Sequence, residues 1–178
     1  MRENQIVIAG FGGQGLLFSG KVLAYAGMVE GRYLSWLPSY GPEMRGGTAN
    51  CNVILSDREI GSPIVTRPDI LMVMNAPSLD KFEKDVAPGG KIFIDSSLIG
   101  RKIEREDVTA YYIPATAMAR EMGAPGLANM VLLGALVKAT GCVTDEGLDA
   151  GLIKVIPARK ADMLEINRKA LKAGMDAL

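Results

Sequence analysis

Two glycine-rich segments contain the residues whose types and spacing are best suited to binding a ligand. The first satisfies the pattern G-x-G-x-x-G and consists of Gly10, Phe11, Gly12, Gly13, Gln14 and Gly15. It lies between a short β-branched run and a helical pattern, the context in which this motif binds phosphate. Its glycines would allow a tight turn, and the helix N-terminus would present N–H groups to a phosphate or pyrophosphate. Alternatively, the glycines only allow close packing of a strand against a helix.

The second segment combines an aromatic ring, an acid, a base and three glycines in the ten residues 39–48. Its candidate ligand-binding residues are Tyr40, Gly41, Pro42, Glu43, Arg45, Gly46 and Gly47. The segment follows a predicted strand, and open α/β sheets bind ligands at the carboxyl ends of their strands. Ordering it costs about 1–2 kcal/mol per residue in conformational entropy, which favours a role in holding a ligand or a partner. A solvated surface loop is the alternative.

Residue types that are absent or rare limit the chemistry of this chain. The sequence has no His, so it contains no imidazole base, no Ser-His-Asp triad and no His-ligated metal. Cys51 and Cys142 are the two thiols in the sequence, too few for a Cys₄ zinc or iron–sulfur site. We therefore expect no metal site and no independent redox or hydrolytic chemistry in this chain.

The spacing of acidic residues argues against a dinucleotide such as NAD. Such a site needs an acid at the end of the second strand, about twenty residues after the glycines. Residues 35–39 contain none, and Glu30 falls at the end of the preceding helix. Lys21 lacks the neighbouring Ser or Thr of a P-loop, so we expect a packing or surface role for it.

Two further polar positions have several interpretations. Asp95, Ser96 and Ser97 follow a predicted strand and either line the same crevice or cap the next segment. Asn129 lies inside the most apolar helical pattern, where a buried amide must find partners. We rank a core hydrogen bond first for Asn129, then an interface contact, then a ligand contact.

Twenty basic and twenty acidic residues give zero formal charge, which argues against nucleic-acid or anionic-membrane binding. A pI near 6.3 favours association over a free monomer, and leaves room for a homodimer when the chain is isolated. The N-terminal apolar run breaks at Gly10 and predicts neither a signal peptide nor a membrane span. Few cysteines and ten Met suit a reducing cytoplasm, so we predict a soluble cytoplasmic protein.

The length of 178 residues predicts one domain, residues 1–178. Hydrophobic runs predict strands over Gln5–Ala9, Arg32–Leu37, Ala49–Leu55, Ile70–Met74, Lys91–Ile94 and Ala110–Ile113. Helical spacing predicts helices from Leu16 onward and over Ser78–Val86, Ala115–Met122, Leu127–Ala139, Asp145–Ile153 and Ala158–Ala173. This order predicts an α/β fold with a Rossmann-like, three-layer, mostly parallel sheet and a helical C-terminal portion.

Residues 6–24, IVIAGFGGQGLLFSGKVLA, and residues 39–56, SYGPEMRGGTANCNVILS, together resemble the gamma subunit of 2-oxoacid:ferredoxin oxidoreductases. The similarity continues through PDILMVMN, GGKIFIDSSL and ANMVLLGAL at residues 68–75, 89–98 and 128–136, and so covers nearly the whole chain. The LPSYGPEMRGG stretch looks most like the 2-oxoglutarate enzyme, with pyruvate, branched-chain 2-oxoacid and indolepyruvate versions close behind.

The resemblance implies a subunit of an anaerobic-type enzyme that oxidatively decarboxylates a 2-oxoacid to acyl-CoA, with ferredoxin as electron acceptor. Alpha and beta subunits would hold thiamine diphosphate with magnesium, and a ferredoxin-like delta subunit would carry iron–sulfur clusters. This chain would bind none of these cofactors alone and would supply no catalytic residue. It would contribute coenzyme A access beside the thiamine site, with the loop Gly10–Gly15 and Arg45 serving the coenzyme A phosphates.

Two other classes of function are compatible with the residues. A stand-alone nucleotide-binding sensor would use the first glycine loop and would be stabilised by a free nucleotide. A purely structural assembly subunit would keep full activity when either glycine loop is altered. The neutral charge and the nearly all-apolar helix favour an interface protein in both cases.

Overall fold

A computed structural model describes residues 2–39 and 48–178, which form six strands and six helices. The strands are β1 (Glu3–Phe11), β2 (Tyr33–Ser39), β3 (Thr48–Ser56), β4 (Ile70–Val73), β5 (Lys91–Asp95) and β6 (Thr109–Ile113). The helices are α1 (Leu16–Val29), α2 (Ala76–Phe82), α3 (Ala115–Glu121), α4 (Ala128–Thr140), α5 (Asp145–Val155) and α6 (Ala161–Asp176). Each predicted strand and helix is therefore present.

Two predicted helices differ from the structure by a 3₁₀ turn at one end, and the others differ by one or two residues. The helix predicted over Ser78–Val86 begins earlier, at Ala76, because the Asn75 side chain accepts a hydrogen bond from the Ser78 N–H and caps it. It ends at Phe82 and continues as one 3₁₀ turn, Glu83–Asp85. The segment predicted as a helix from Ala158 also opens with a 3₁₀ turn, so α6 itself begins at Ala161 and runs to Asp176.

The six strands form one sheet in the order β2-β3-β1-β4-β5-β6. Neighbouring strands from β1 through β4 and β5 to β6 pair in parallel, whereas β3 pairs antiparallel with both β1 and β2. Five of the six described strands thus point the same way. The α/β fold with a mostly parallel sheet is confirmed, with β3 as a reversed strand that the sequence pattern did not predict.

Side chains of β1 alternate between two hydrophobic clusters, one on each face of the sheet. Ile6 and Ile8 join the larger cluster with α1, α3, α4, α5 and α6, whereas Val7 and Ala9 join a smaller cluster with α2. Burial on both faces explains why β1 is a continuous apolar run, as is typical of a central parallel strand. The helical layers are therefore unequal, and most of the helical C-terminal portion packs on one face.

Helix α4 is buried nearly all round, as its composition predicted. It packs between the sheet and α6, and two glycines allow the two helices to approach closely. A Cβ on Gly134 would overlap the Leu171 carbonyl, and a Cβ on Gly174 would overlap the Val131 carbonyl. Close packing of α4 against α6 therefore accounts for these two glycines. In the described ranges, no helix is both long enough and apolar enough to cross a membrane.

Candidate functional site

The first glycine segment lies where the connecting helices change from one face of the sheet to the other. After β1 the chain enters α1 on one face of the sheet, and after the neighbouring parallel strand β4 it enters α2 on the other face. The carboxyl ends of β1 and β4 therefore flank a topological switch point, which is where open α/β sheets bind ligands. The loop Gly10–Gly15 forms the β1 side of this crevice, and Met74 and Asn75 form the β4 side.

Backbone geometry requires glycine at several positions of this loop. Gly13 and Gly15 have φ angles of +92° and +76°, in the left-handed region that residues with a Cβ rarely adopt. A Cβ on Gly15 would also lie 2.5 Å from Nδ2 of Asn129, and a Cβ on Gly10 would overlap the Gln14 side chain. Tight packing and left-handed conformations thus both contribute to the motif.

Gln14 fixes the loop to both flanking strands. Its Oε1 accepts a hydrogen bond from the Phe11 N–H at 2.6 Å, and its Nε2 donates to the Met74 carbonyl oxygen at 3.0 Å. One side chain therefore spans the crevice between β1 and β4. Gln14 therefore holds the loop in place, and its part in binding a ligand stays a prediction.

Asn129 supports the loop from the α4 side. Its Nδ2 donates to the Gly15 carbonyl oxygen and to Oγ of Ser19, both at 3.0 Å, and Asn129 is 3% exposed. The core hydrogen bond ranked first for this residue is confirmed. The contact joins the first turn of α4 to the first turn of α1, although 114 residues separate Asn129 from Gly15.

The N-terminus of α1 presents backbone donors to a small pocket. Gly15 caps the helix with no side-chain hydrogen bond, and the first turn carries no acid. The N–H groups of Leu16, Leu17 and Phe18 precede the first helical hydrogen bond, from the Ser19 N–H to the Gly15 carbonyl, and have no acceptor in the described ranges. The adjoining pocket of about 290 Å³ is lined by Phe11, Gly12, Gly13, Gly15, Leu16, Leu17, Phe18 and Ala49. An anion bound at this helix N-terminus would be next to an apolar surface.

The predicted residues of the second segment, Tyr40, Gly41, Pro42, Glu43, Arg45, Gly46 and Gly47, lie outside the described residues. Its flanking residues are described. Ser39 ends β2 and pairs with Asn50, and Thr48 begins β3 and pairs with Phe11. Both flanks are therefore at the same edge of the sheet as the first glycine loop.

The match to a known family settles which kind of protein this is. Residues 5–177 match the family model described as pyruvate ferredoxin/flavodoxin oxidoreductase. The chain belongs to this family. The resemblance drawn from residues 6–24 and 39–56 is thereby confirmed.

Two relatives from Methanothermobacter marburgensis match this chain over nearly its whole length. Ketoisovalerate oxidoreductase subunit VorA is 41% identical over 175 residues, which are 98% of this chain and 36% of VorA. 2-Oxoglutarate synthase subunit KorC is 35% identical over 183 residues, which are 99% of this chain and 97% of KorC. The chain therefore spans about a third of VorA and nearly all of KorC.

Two solved structures of the family share the fold. The gamma subunit of a keto/oxoacid ferredoxin oxidoreductase from Geobacter sulfurreducens has a TM-score of 0.84 and 31% identity, covering 98% of this chain and 97% of that one. The 2-oxoglutarate:ferredoxin oxidoreductase from Magnetococcus marinus has a TM-score of 0.88 and 27% identity, covering 100% of this chain and 32% of that one. This oxidoreductase-family chain is thus of the gamma-subunit type.

The donor set of this family member does not fit an iron–sulfur cluster, which needs several converging thiolates. Cys51 and Cys142 are separately buried and unpaired. Burial raises the pKa of the Cys51 thiol to about 12 and also raises the pKa of Cys142. Both thiols are therefore protonated and poorly suited as metal ligands or nucleophiles near neutral pH.

Of the other residues considered from the sequence, Glu30 and Asp95 have structural roles and Lys21 lies at the surface. Lys21 is exposed on α1. Glu30 caps α1, and its Oε1 accepts hydrogen bonds from the N–H and the hydroxyl of Thr144 at 2.6 and 2.8 Å. The buried Asp95 accepts from the Ser97 N–H and from the N–H and hydroxyl of Thr116. Of the two interpretations of Asp95–Ser97, the structure therefore supports capping.

Two other surface pockets, of about 400 and 410 Å³, are lined largely by charged side chains, several of which have ion-pair partners. Arg168 pairs with Asp149 in one, and Arg101 pairs with Asp80 and Glu83 in the other. The pocket at the α1 N-terminus differs because its backbone donors have no internal acceptor. Four lining residues were not predicted from the sequence, although the first three directly follow the glycine motif: Leu16, Leu17, Phe18 and Ala49.

Proposed function

We propose that this chain is the gamma subunit of a 2-oxoacid:ferredoxin oxidoreductase and that its first glycine loop binds a phosphate of coenzyme A. The observation that carries the proposal is the N-terminus of α1, which no side chain caps, with two positive-φ glycines and an apolar pocket at the switch point of the sheet. Family membership supplies the reaction class. The enzyme oxidatively decarboxylates a 2-oxoacid, transfers the acyl group to coenzyme A and passes the electrons to ferredoxin.

Coenzyme A suits this site better than a dinucleotide such as NAD. Its pyrophosphate and 3′-phosphate are anions of the kind that a helix N-terminus binds. The site of coenzyme A does not require the acid that binds the ribose hydroxyls of NAD. Glu30, the acid considered for that role, is held by Thr144. The Magnetococcus marinus enzyme that shares this fold has coenzyme A and succinyl-CoA bound. Participation of the segment 40–47, with Arg45, stays a prediction.

In the enzyme that we propose, other subunits hold the catalytic cofactors. The pocket at the α1 N-terminus is lined by glycine, alanine, leucine and phenylalanine, so it offers no acid, base or nucleophile. Alpha and beta subunits hold thiamine diphosphate with magnesium, and a ferredoxin-like delta subunit carries the clusters. The gamma subunit binds coenzyme A and contacts its partners beside the thiamine site.

The substrate we propose is 2-oxoglutarate. Support comes from KorC, a 2-oxoglutarate synthase subunit that matches this chain over 97% of its own length. The 41% identity to VorA favours a branched-chain 2-oxoacid as the second candidate. Steady-state turnover of 2-oxoglutarate, ketoisovalerate and pyruvate by the assembled enzyme separates them, since the natural substrate will have the highest kcat/KM.

Two variants that introduce the same negative charge at opposite ends of α1 test the coenzyme A site. Gly13 and Gly31 have φ angles of +92° and +73°, and a Cβ on either would meet no atom within 4 Å. Gly31 follows the C-terminus of α1, at the opposite end of the helix from the pocket. Asp is among the residues that most readily adopt positive φ, so Gly13→Asp and Gly31→Asp introduce the same charge with similar strain.

We expect Gly13→Asp to raise the KM for coenzyme A in the assembled enzyme at least about tenfold, because a carboxylate at the α1 N-terminus repels a phosphate. The KM for the 2-oxoacid should change little. Gly31→Asp should leave both constants near those of the wild type. Equal coenzyme A constants for the two variants would refute the assignment of this loop.

A further inference from the structure

Asn129 is an unusual residue in α4, because the ten residues from Ala128 to Val137 are all buried and the other nine are apolar or glycine. Its Oδ1 is buried and has no hydrogen-bond partner in the described ranges. A buried acceptor without a partner is costly, whereas an apolar residue of similar size would avoid that cost. The two hydrogen bonds that Nδ2 donates must therefore account for an amide at this position.

Those contacts converge on the first peptide of α1. The Gly15 carbonyl oxygen accepts from Asn129 Nδ2 at 3.0 Å, from the Ser19 N–H at 3.1 Å and from the Ser19 hydroxyl at 3.3 Å. The Ser19 hydroxyl in turn accepts from Asn129 Nδ2 at 3.0 Å. Asn129, Ser19 and Gly15 thus form a closed network that fixes the direction of one carbonyl group.

The direction of this carbonyl determines the direction of the Leu16 N–H that follows it. In a planar trans peptide the C=O and the following N–H point in opposite directions. Holding the Gly15 carbonyl inward therefore turns the Leu16 N–H outward, at the end of α1 where Gly15 and Leu16 line the pocket. Gly15 is matched to this arrangement, because a Cβ there would lie 2.5 Å from Asn129 Nδ2.

We infer that Asn129 is a positioning residue for coenzyme A, which holds the Gly15–Leu16 peptide in the orientation that presents its N–H to a phosphate. The inference rests on the proposed function of the glycine loop. It also assigns a role to the first turn of α4, which joins the helical C-terminal portion to the ligand site. The Ser19 hydroxyl is the second member of the same device.

Asn167 offers a matched control on α6. It is 1% exposed, its Nδ2 donates to the Met163 carbonyl, and its Oδ1 has no partner in the described ranges. Because Val131 meets Gly174 and Gly134 meets Leu171, the two helices run antiparallel and Asn167 lies toward the C-terminal end of α4, away from the first turn. Asn129→Ala and Asn167→Ala therefore remove similar buried amides at different distances from the loop.

The experiment measures steady-state kinetics of the assembled enzyme with coenzyme A and with the 2-oxoacid as varied substrates. Asn129→Ala should raise the KM for coenzyme A about tenfold, with kcat and the 2-oxoacid KM within about twofold of the wild type. Ser19→Ala should give a smaller rise, and the double variant should show less than the product of the two effects. Asn167→Ala should leave all three constants unchanged at a similar loss of thermal stability.

Equal coenzyme A constants for Asn129→Ala and Asn167→Ala would overturn the inference, since a purely structural amide predicts that result. The Gly13→Asp variant separates this failure from failure of the proposed function. A raised coenzyme A KM for Gly13→Asp with no effect of Asn129→Ala would retain the site and remove the positioning role. No effect of either substitution would remove both.

Discussion

The contact between Gly15 and Asn129 predicts that Gly15→Ala will be more destabilising than an ordinary glycine replacement. The φ angle of +76° costs an alanine about 1–2 kcal/mol. Its Cβ would lie 2.5 Å from Nδ2 and 2.9 Å from Cγ of Asn129, so the amide must move. Losing the two hydrogen bonds made by that amide adds roughly 0.5–1.5 kcal/mol each. The sum is roughly 2–5 kcal/mol.

Gly31→Ala provides the reference for backbone strain alone. Gly31 has a similar φ of +73° and open space around its Cβ position. We expect it to cost only about 1–2 kcal/mol. Equilibrium urea unfolding of the purified protein measures both values. For a chain of this size each kcal/mol corresponds to roughly 2–4 °C in Tm, so thermal unfolding gives a second reading.

A double-mutant cycle identifies the cause of the difference. In an Asn129→Ala background the amide that blocks the Cβ is gone, so Gly15→Ala should cost about as much as Gly31→Ala. Equal costs for Gly15→Ala and Gly31→Ala in the wild-type background would refute the contact. An undiminished cost of Gly15→Ala without Asn129 would assign the effect to another cause.

Three further outcomes follow from packing, titration and capping. Gly134→Ala should lower the free energy of unfolding by about 3 kcal/mol or more, because its Cβ would overlap the Leu171 backbone. Urea titrations measure this loss, and a loss below about 1 kcal/mol would contradict the helix packing. Burial raises the pKa of Cys51 to about 12, so above pH 9.0, the ordinary thiol value, the unfolded chain loses this proton before the folded protein does. Stability should then fall by about 1.4 kcal/mol per pH unit from this group, and unfolding titrations at pH 8–10.5 should show a shallower slope for Cys51→Ala. Glu30→Gln should lower stability by about 1–3 kcal/mol, since it removes a charged acceptor from Thr144, and should leave the KM for coenzyme A unchanged.

Local sequence patterns predicted most of the fold because strands, turns and helix caps depend on residues close together in the chain. The apolar run at residues 6–9 is buried on both faces in β1, and the glycine motif leads into α1 as expected. Thr144 caps α5 through the Gly147 N–H, with Asp145 and Glu146 in its first turn. These features depend on neighbours a few residues apart, so a single sequence contains the information.

The reversed strand and the support of the glycine loop depend on distant residues. Polar and apolar residues alternate over 48–53, which predicts a strand with one less buried face but does not name its partners or its direction. Likewise, Asn129 was visible as a polar residue in an apolar helix, but its partner Gly15 lies 114 residues away. The sequence predicted that the amide needs a partner, and the structure identifies the partner.

The most direct test of the central claim is an add-back measurement of coenzyme A-dependent 2-oxoacid oxidation. The enzyme is purified under anoxic conditions from native cells, using an affinity tag on this chain, and the chain is then removed and restored. We predict that ferredoxin reduction by 2-oxoglutarate and coenzyme A will be lost on removal and regained on addition of the chain, and regained with a higher KM for coenzyme A when the chain carries Gly13→Asp. Activity that persists without the chain, or a tagged chain that purifies without any 2-oxoacid-oxidising activity, would contradict its assignment as the gamma subunit.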